Sequence, residues 1–343
     1  MMPQALPSLP PPNPSVAAIV AAANEIPTLD AGPMLRGEAG AFEQMAADVR
    51  LIMGRLGFMS IVNHGVPWSL VDDAVAQTFE LFHLPEEERL KSRAQHHHQG
   101  YWPSGAGRNN RTFEQETARK SYGSGWALFR ERADNDADAL SGKRHRVQNI
   151  WPDPALLPRF KPALLAYADA MQALSLAMVR VFARTLDLPA EHLDGMFAKP
   201  EYHIRLNYYP SGRRDDAVLA ASAHYDHSFF TLLPMSPVPG LQVQKTGREI
   251  SWIDVVHVRE AILVNTGEWL NRLSNGRILP TPHRVVNPPL ERVTVPFFMN
   301  TSDDIVCRPP ATCLAPGATA KFEAITFHDF FEAYLDGSYV NRG

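Results

Sequence analysis

The sequence is poor in cysteine. Its 343 residues contain two, Cys307 and Cys313. Two thiols are too few for a disulfide framework in a chain this long, and they are typical of a reducing compartment. No further cysteine lies near them to complete a metal site, so we assign them no role.

Long hydrophobic runs are also missing. No stretch of 18 or more apolar residues occurs, so we expect no transmembrane helix. The small apolar run from Val16 to Ala23 has no basic residue ahead of it, which argues against a secretory signal. Prolines crowd the segment before it, and we therefore predict a Pro-rich flexible leader over residues 1–25. The predicted location is the cytoplasm.

The chain lacks a strong charge of either sign. Its formal net charge is -4, which gives no reason to expect nucleic acid or an anionic membrane as a partner. A small molecule is the expected partner, and the sequence does not predict an oligomeric state. Hydrophobic residues make up 45% of the chain, enough to bury a sizeable core in one large or two modest domains.

Helical periodicity dominates the first half of the chain. Apolar residues recur at helical spacing from Phe42 to Leu56, a strand is predicted over Phe58 to Val62, and a second helix runs from Pro67 to about Phe82. A long helix over about Pro158 to Leu186 carries more than one apolar face, as expected of a helix that backs a sheet. The polar segment from Ser104 to His145 is left unassigned.

The second half consists of short β-type runs separated by turn signals. Many short strands at regular spacing predict a sandwich or barrel, and the preceding helices make it a helix-backed β-core. The predicted strands are Tyr202 to Tyr209, Phe229 to Leu233, Gly240 to Gln244, Ile250 to Asp254, Ala261 to Asn265, His283 to Val286 and Val293 to Met299.

Two short patches carry candidate chemistry. His224 and Asp226 are two apart, and on a strand they would share one face while Tyr225 points away. Two imidazoles and one carboxylate form the ligand set of non-haem Fe(II) sites, and His283 is the candidate third ligand. His-x-Asp alone is weak, since roughly 0.7 occurrences are expected by chance in a chain of this composition. Polar residues on a surface strand are the competing interpretation.

The second occurrence of the motif, His192-Leu193-Asp194, lies in a helix-terminal context where a spacing of two separates the side chains, so we reject it. Beyond His283, Arg292 and Thr294 again share a strand face. Together they offer a guanidinium fork and a hydroxyl donor, a combination that suits a carboxylate.

An ordered series of motifs from about Ile26 to Phe331 resembles the iron(II)/2-oxoglutarate-dependent dioxygenases of the isopenicillin N synthase-like family. The series includes the N-terminal Gly57 to Val66 pattern and, in the core, Asn207-Tyr208-Tyr209-Pro210, Pro239 to Val243, Val264 to Gly267, and Asn275-Gly276 through His283 to Pro288. Two departures, Glu268 and Tyr225, remove no ligand. Thr294 keeps the hydroxyl of the Ser usual in plant members. The stretch Ser211 to Ala223 lacks their Pro-Cys-Pro, which points away from a plant hormone or flavonoid enzyme.

The resemblance implies an α+β protein with a mostly β core, a double-stranded β-helix of the jelly-roll type backed by helices. It implies Fe(II) bound by His224, Asp226 and His283. It also implies that 2-oxoglutarate chelates the iron, with its distal carboxylate on Arg292 and Thr294. Asn207 and Tyr209 match further cosubstrate positions; the alternative is an ordinary buried polar pair.

Residues 1–25 are then the leader, 26–150 the N-terminal region of the family, 151–198 the backing helix, 199–304 the jelly-roll core and 305–343 a C-terminal segment. His227 follows Asp226 directly and is predicted to be a structural residue, not a fourth ligand. The tract His96-His97-His98 is predicted to be exposed or substrate-facing, with Tyr101 and Trp102 at the mouth of the site.

The expected activity is an oxygenase that uses Fe(II), O2 and 2-oxoglutarate to hydroxylate, desaturate or cyclise a small organic substrate, releasing succinate and CO2. Two alternatives remain open. One is an oxidase of the same fold that uses no 2-oxoglutarate, which Arg292 and Thr294 do not exclude because isopenicillin N synthase uses matching residues for its substrate. The other is a non-catalytic jelly-roll binding protein.

Overall fold

The computed structural model describes residues 6–95, 98–105, 121–211, 219–245 and 250–339. The α-helices in these ranges are α1 (Pro14–Ala22), α2 (Gly32–Leu35), α3 (Ala41–Met53), α4 (Trp68–His83), α5 (Glu86–Leu90), α6 (Ala137–Leu140), α7 (Phe160–Thr185), α8 (Glu268–Leu273) and α9 (Phe327–Tyr339). Two 3₁₀ helices span Ala190–Phe197 and Ala311–Cys313.

The strands fall into a large sheet, a small sheet and a short pair. They are β1 (Thr28–Asp30), β2 (Phe58–Val62), β3 (Gly100–Trp102), β4 (Ser124–Phe129), β5 (Glu201–Tyr209), β6 (Ala221–His224), β7 (Phe230–Pro234), β8 (Leu241–Gln244), β9 (Trp252–Asp254), β10 (Ile262–Thr266), β11 (His283–Val285), β12 (Arg292–Thr294), β13 (Phe297–Asn300), β14 (Val306–Cys307) and β15 (Ile325–Thr326). The large sheet has the order β1-β2-β10-β7-β13-β5-β4-β3, with β12 also paired to β5. The small sheet has the order β6-β11-β8-β9, and β14 pairs with β15.

The two larger sheets form the jelly roll, and helices cover the outer face of the large sheet. A small apolar cluster that includes Tyr209, Leu241, Leu263 and Val285 draws on strands of both sheets. The larger core lies on the helical side, where α7 contacts α3, α4 and β13. The candidate site therefore lies between two sheets, one of which is supported by a rigid helical layer.

The helix α7 follows the predicted boundaries closely and buries the apolar residues of its inner faces. Leu164, Met171, Met178 and Phe182 are all buried, at the spacing expected of a helix packed on a sheet. By length and composition α7 is apolar enough to cross a membrane. Half of its most apolar 18-residue stretch, however, is buried inside the protein. Packing in the core accounts for its apolar character.

The N-terminal leader differs from the prediction. Residues 14–22 form α1, with Pro14 in its first turn and Val16 and Val20 buried. The side chain of Asn13 donates to Asp48 on α3, and the guanidinium of Arg184 on α7 donates to the carbonyl of Pro7 (3.1 Å). The prediction of a flexible leader is therefore wrong for residues 6–25, because polar contacts and a small apolar face attach this segment to the helical layer.

The strand predicted over Val293 to Met299 is two strands, β12 and β13. Both pair with β5 in one continuous register, so Thr294 lies opposite Asn207 and Phe297 opposite Ile204. Pro296 interrupts the ladder because it has no N–H to donate. Its carbonyl still accepts from the N–H of Arg205 (3.2 Å).

The region before residue 150 is part of the same sheet as the core. β2 pairs with β10, β1 pairs with β2, and β4 pairs with β5. β4 lies in the Ser104 to His145 segment that the sequence left unassigned. The sheet strands β10, β7, β13 and β5 are thus flanked on both sides by strands from the N-terminal region.

Candidate active site

Two histidines face each other across a strand pair of the small sheet. β6 ends at His224, and the residue of β11 directly opposite is His283. The centroids of the two imidazole rings lie 4.4 Å apart. Directly opposed side chains on one face of a sheet are near enough to share a ligand. The structure thus brings together two of the predicted metal ligands.

Asp226 joins them from the loop that follows β6. Its Oδ1 lies 3.9 Å from Nε2 of His224 and 3.7 Å from Nε2 of His283. The prediction that His224 and Asp226 share a strand is wrong, because β6 ends at His224. The start of α8 holds the loop instead, where the N–H of Glu268 donates to the carbonyl of Asp226 (2.9 Å). One ligand atom from each of the three residues lies within 4.8 Å of the others.

The second ring nitrogen of each histidine contacts a backbone carbonyl. Nδ1 of His224 lies 2.7 Å from the carbonyl of Ser222, and Nδ1 of His283 lies 3.2 Å from that of Thr281. A carbonyl can only accept, so the proton resides on Nδ1 and Nε2 keeps its lone pair. Burial, reinforced by His283, lowers the pKa of His224 to about 4. His224 is therefore neutral at pH 7, the form that binds a metal.

The second carboxylate oxygen of Asp226 is held by two neutral donors. Oδ2 accepts from the hydroxyl of Thr231 (2.6 Å) and from Nδ2 of Asn265 (2.7 Å). Burial raises the pKa of Asp226, whereas the neighbouring imidazoles of His283 and His224 and these two hydrogen bonds lower it, and the net pKa is lowered. Asp226 is thus an ionised carboxylate with Oδ1 left to face the histidines. The sequence did not identify Thr231 or assign a role to Asn265.

Replacement of Asn265 by alanine is expected to weaken binding of the predicted metal by about 10- to 100-fold, the usual effect of losing a group that orients a metal ligand. The carboxylate of Asp226 would keep its charge but lose one of the two donors that orient it. Titration of the apoprotein with Fe(II) under anaerobic conditions measures the change. Asn271→Ala is the control, because that amide donates to the carbonyl of Ile278 (2.6 Å). Equal iron affinity in Asn265→Ala and wild type would contradict the role of Asn265.

Gly267 allows β10 to turn into α8 directly over the ligand loop. A Cβ at this position would lie 2.0 Å from the carbonyl oxygen of Ser228, which is closer than any side chain tolerates. The N–H of Gly267 donates to the carbonyl of Phe229 (3.2 Å). The close approach explains why glycine occupies the end of the Val264 to Gly267 motif.

The four predicted cosubstrate residues lie on two paired strands. Arg292 is opposite Tyr209 and Thr294 is opposite Asn207, so all four alternate onto the same face as predicted. Nδ2 of Asn207 donates to the hydroxyl of Thr294 (3.3 Å). The guanidinium carbon of Arg292 lies 5.5 Å from the centroid of the Tyr209 ring. The structure brings these residues together as one group.

Arg292 is a buried cation with 4% of its surface exposed. Its Nε donates to the carbonyl of Val238 (3.1 Å), and burial lowers the pKa of the guanidinium. Arginine nevertheless keeps its charge in proteins. Among the described residues no carboxylate lies within ion-pairing distance of Arg292. A buried charge without an acidic partner fits a site that binds a carboxylate from solution.

Comparison with known proteins decides the family. Residues 200–301 match the model of the 2OG-Fe(II) oxygenase superfamily, and residues 26–154 match the N-terminal region of a non-haem dioxygenase in morphine synthesis. Gibberellin 20 oxidase 1-B of Triticum aestivum is 30% identical over 312 residues, which cover 90% of this chain and 80% of that protein. The chain belongs to the 2OG-Fe(II) oxygenase superfamily. Fe(II) and 2-oxoglutarate are therefore the cofactor and cosubstrate of this oxygenase, and its substrates are small organic molecules.

The oxygenase is also 28% identical, over 331 residues, to the 2-oxoglutarate-Fe(II) type oxidoreductase ppzC of Metarhizium rileyi, covering 91% of this chain and 87% of that protein. Among solved structures, a 2OG-Fe(II) oxygenase family protein from Caulobacter crescentus superposes with a TM-score of 0.77 at 23% identity, covering 90% of this chain and 98% of that one. JOX2 in complex with 2OG, Fe and JA gives 0.73 at 24% identity, covering 96% and 95%. These superpositions confirm the jelly-roll fold.

A cavity of about 160 Å³ opens beside the three clustered residues of the oxygenase. Its lining includes His224 and Asp226 of the predicted metal ligands, and Asn207 and Tyr209 of the predicted cosubstrate residues. Eight of the remaining lining residues carry aromatic or imidazole rings and form what we call the aromatic wall, beside small, polar and aliphatic residues. These wall residues are His98, Trp102, Phe129, His203, His227, Phe298, Phe331 and Tyr334.

The helix α9 closes one side of the cavity with Phe331, Tyr334 and Leu335. Its outer face is attached to the segment before Trp151 by charged contacts. Nδ1 of His145 lies 2.9 Å from Oε1 of Glu332, and Arg144 pairs with the same carboxylate. The C-terminal segment of the oxygenase is therefore a wall of the pocket, a role the sequence did not predict.

The remaining predicted histidines and aromatic residues take different positions. His227 stacks on Tyr334 with centroids 4.0 Å apart, which agrees with its exclusion from the metal ligands. His98 is buried and stacks on Trp102 within the cavity wall, whereas His96 and His97 lie outside the described residues. Tyr101 does not line the cavity, because β3 turns it toward Trp126.

The rejected His-x-Asp motif is a surface feature of the oxygenase. Asp194 pairs with Arg180 (2.9 Å), and both side chains are exposed. His192 and Asp194 lie in the 3₁₀ helix Ala190–Phe197, and neither belongs to a group of potential metal ligands in the described part of the chain. Their rejection agrees with the structure.

Proposed function

We propose that the oxygenase holds Fe(II) through His224, Asp226 and His283 and hydroxylates a small organic substrate in the adjacent cavity. The observation that carries the proposal is the convergence of two imidazoles and one carboxylate on a single point beside a cavity. This donor set suits a non-haem Fe(II) site that leaves coordination positions open. Desaturation or ring closure of the same substrate class is the variant outcome.

We further propose that Arg292 and Thr294 bind the distal carboxylate of 2-oxoglutarate, with Asn207 and Tyr209 beside them. Support comes from the burial of Arg292 and from the strand register that puts the four side chains on one face. A guanidinium and a hydroxyl can donate to a carboxylate together. The buried charge then gains its acidic partner when the cosubstrate binds.

When bound, iron and 2-oxoglutarate supply the oxidising power: O2 and the cosubstrate are consumed, succinate and CO2 leave, and one oxygen atom enters a substrate C–H bond. The protein contributes orientation. The carbonyls of Ser222 and Thr281 keep a proton on Nδ1 of the two histidines, so that Nε2 faces the metal. Thr231 and Asn265 turn Oδ1 of Asp226 toward the same point, and the aromatic wall excludes bulk water.

Anaerobic addition of Fe(II) and 2-oxoglutarate to the apoprotein is expected to produce the visible charge-transfer band of the chelate. His224→Ala is expected to show no band, because the imidazole that anchors one side of the metal is gone. His192→Ala, in the surface motif, is the matched control and should retain the band. No band in the wild type, or turnover retained in His224→Ala, would refute the proposal.

The 2-oxoglutarate-independent oxidase is distinguished by product analysis. A cosubstrate-dependent oxygenase releases one succinate for each O2 consumed when substrate turnover is coupled. O2 uptake without succinate release would favour the oxidase. The matched relative from Metarhizium rileyi is named as a 2-oxoglutarate-Fe(II) type oxidoreductase, which supports the cosubstrate-dependent reaction.

A further inference from the structure

His203 is a buried polar residue in the lining of the cavity. It lies on β5, where alternation puts it on the same face as Asn207 and Tyr209, which also line the cavity. Only 7% of its surface is exposed. It precedes Asn207 by four residues, a spacing that corresponds to roughly 13 Å along a strand. His203 therefore lies toward the other end of β5 from the predicted cosubstrate residues.

Rings on both neighbouring strands hold the imidazole of His203 in place. Phe298 lies opposite it on β13, and Phe129 lies opposite it on β4. The centroid of the His203 ring lies 4.3 Å from that of Phe298 and 5.4 Å from that of Phe129, and both pairs are stacked. Because stacking occupies the faces of the imidazole, its edge, which carries the two nitrogens, is the part that a ligand can reach.

Neither ring nitrogen of His203 is hydrogen-bonded within the described part of the chain, and Nδ1 is enclosed by protein. His64 is similarly buried but uses both nitrogens: Nδ1 accepts from the N–H of Val66 (3.2 Å), and Nε2 donates to the carbonyl of Glu260 (3.1 Å). Buried polar groups are usually hydrogen-bonded, and leaving one unpaired is unfavourable. The imidazole of His203 therefore indicates that a ligand in the cavity completes its hydrogen bonding.

The imidazole of His203 is neutral at pH 7. Burial is the main cause of its low pKa, about 3; the charge of Arg205 lowers the pKa further, and that of Asp226 opposes both. A neutral imidazole carries one N–H donor and one acceptor nitrogen. Since Nδ1 is enclosed by protein, the proton is more stable on Nε2, where an acceptor in the cavity can reach it. His203 thus offers one N–H donor to a molecule in the cavity.

We propose that His203 binds the substrate of this oxygenase, and that the substrate carries an alcohol or carbonyl oxygen that accepts a hydrogen bond from Nε2. The inference rests on the proposed function, because it concerns the substrate of the same cavity. A hydrocarbon in this position would cover Nε2 without accepting its proton, which is unfavourable in a buried site. The substrate class is therefore an alcohol or a carbonyl compound.

Three probes of similar size differ in the group that they offer to His203: benzyl alcohol, acetophenone and ethylbenzene. Their dissociation constants are measured anaerobically on the protein with Fe(II) and 2-oxoglutarate. The readouts are the change of the charge-transfer band and tryptophan fluorescence, since Trp102 lines the cavity. The Kd of each oxygenated probe is divided by that of ethylbenzene, so that the contribution of the shared benzene ring cancels. Neither readout requires turnover.

His203→Phe and His203→Leu are expected to raise these Kd ratios about fivefold relative to the wild type, because each variant loses one neutral hydrogen bond. The two new side chains differ in shape, so a change common to both reports the loss of the donor. If only one ratio rises, the probe concerned identifies the oxygen as alcohol or carbonyl. His203→Gln is expected to keep most of the wild-type ratio, since its amide can still donate.

His64→Phe is the matched control, because His64 is a buried histidine outside the cavity lining. It should leave both ratios unchanged. The charge-transfer band with 2-oxoglutarate should persist in all four variants. Its loss in both His203→Phe and His203→Leu would put His203 in the iron or cosubstrate site and overturn the proposal.

The proposal is also overturned if neither oxygenated probe binds the wild type, or if both ratios keep their wild-type values in His203→Phe and His203→Leu. The same holds if His203→Gln raises the ratios as much as those two variants do. Failure of the proposed function gives a different result. In that case no band forms in the wild type, while fluorescence still reports His203-dependent binding of the oxygenated probes.

Discussion

Arg292→Met is expected to raise the Kd for 2-oxoglutarate by about 100-fold or more and, at the same time, to make the cosubstrate-free protein more stable. The first effect follows because removing one member of a buried ion pair costs about 3–5 kcal/mol of interaction. The second follows because Arg292 is 4% exposed and has no acidic partner among the described residues. An apolar side chain of similar length relieves that buried charge.

Isothermal titration with 2-oxoglutarate measures the first effect, and thermal unfolding with and without the cosubstrate measures the second. The wild type should gain Tm on adding 2-oxoglutarate, whereas Arg292→Met should start higher and gain nothing. Arg284→Met is the control for loss of a charge outside the site. Unchanged affinity in Arg292→Met would remove Arg292 from the cosubstrate site. A lower Tm without cosubstrate would show that its hydrogen bond to Val238 outweighs the cost of its burial.

Asp226→Ala is expected to abolish stoichiometric iron binding, a larger loss than the 10- to 100-fold weaker binding expected of Asn265→Ala, because it removes a proposed direct ligand. The hydroxyl of Thr231 and the amide of Asn265 would also lose their shared acceptor. Leaving such donors unsatisfied in a buried site costs about 1–3 kcal/mol each. Iron content per chain after anaerobic loading gives the direct measurement.

The second His-x-Asp motif supplies a control within the same chain. Asp194→Ala removes an exposed ion pair with Arg180, which is worth about 0–1 kcal/mol. Iron content and turnover should therefore match the wild type. If Asp226→Ala and Asp194→Ala retained equal amounts of iron, the metal would have to bind elsewhere than at His224 and His283.

Strand periodicity predicts which candidate site residues share a face, and the structure confirms it for two pairs. Arg292 and Thr294 lie within β12, and Asn207 and Tyr209 lie within β5, so alternation puts each pair on one face. The same argument predicts that His224 and Asp226 lie close together, which the structure shows, but its premise of a shared strand is wrong because Asp226 lies in a loop. Its position depends on contacts with α8, which no local pattern encodes.

The sequence of helix α9 carries a helical signal that our prediction does not include. Phe327, Phe330, Phe331, Tyr334 and Leu335 recur at helical spacing, and four of them are buried. Its function as a cavity wall was not predictable in the same way, because that depends on where the chain returns after the jelly roll. The role of Asn265 is similarly tertiary, since it arises from β10 passing beside the ligand loop.

The N-terminal segment differs from the prediction because its structure depends on pairing with distant residues and not on composition. Prolines predict an extended chain, but Asn13 donates to Asp48 and Arg184 donates to the carbonyl of Pro7. The sequence alone does not show that these distant residues pair. In contrast, α7 was predicted almost to its ends because its apolar pattern is long and unbroken. An apolar pattern of this length predicts a helix even where single residues are compatible with other structures.

The shared sheet has a consequence for any attempt to transplant or shorten the enzyme. The region matching the superfamily model, residues 200–301, has β10 paired to β2 and β5 paired to β4, both supplied from outside it. Excision of that region would leave two strand edges with unpaired N–H and C=O groups, and the face covered by α7 would be open to water. The smallest transferable unit of this activity is therefore the catalytic region together with the N-terminal strands and helices that complete its sheet.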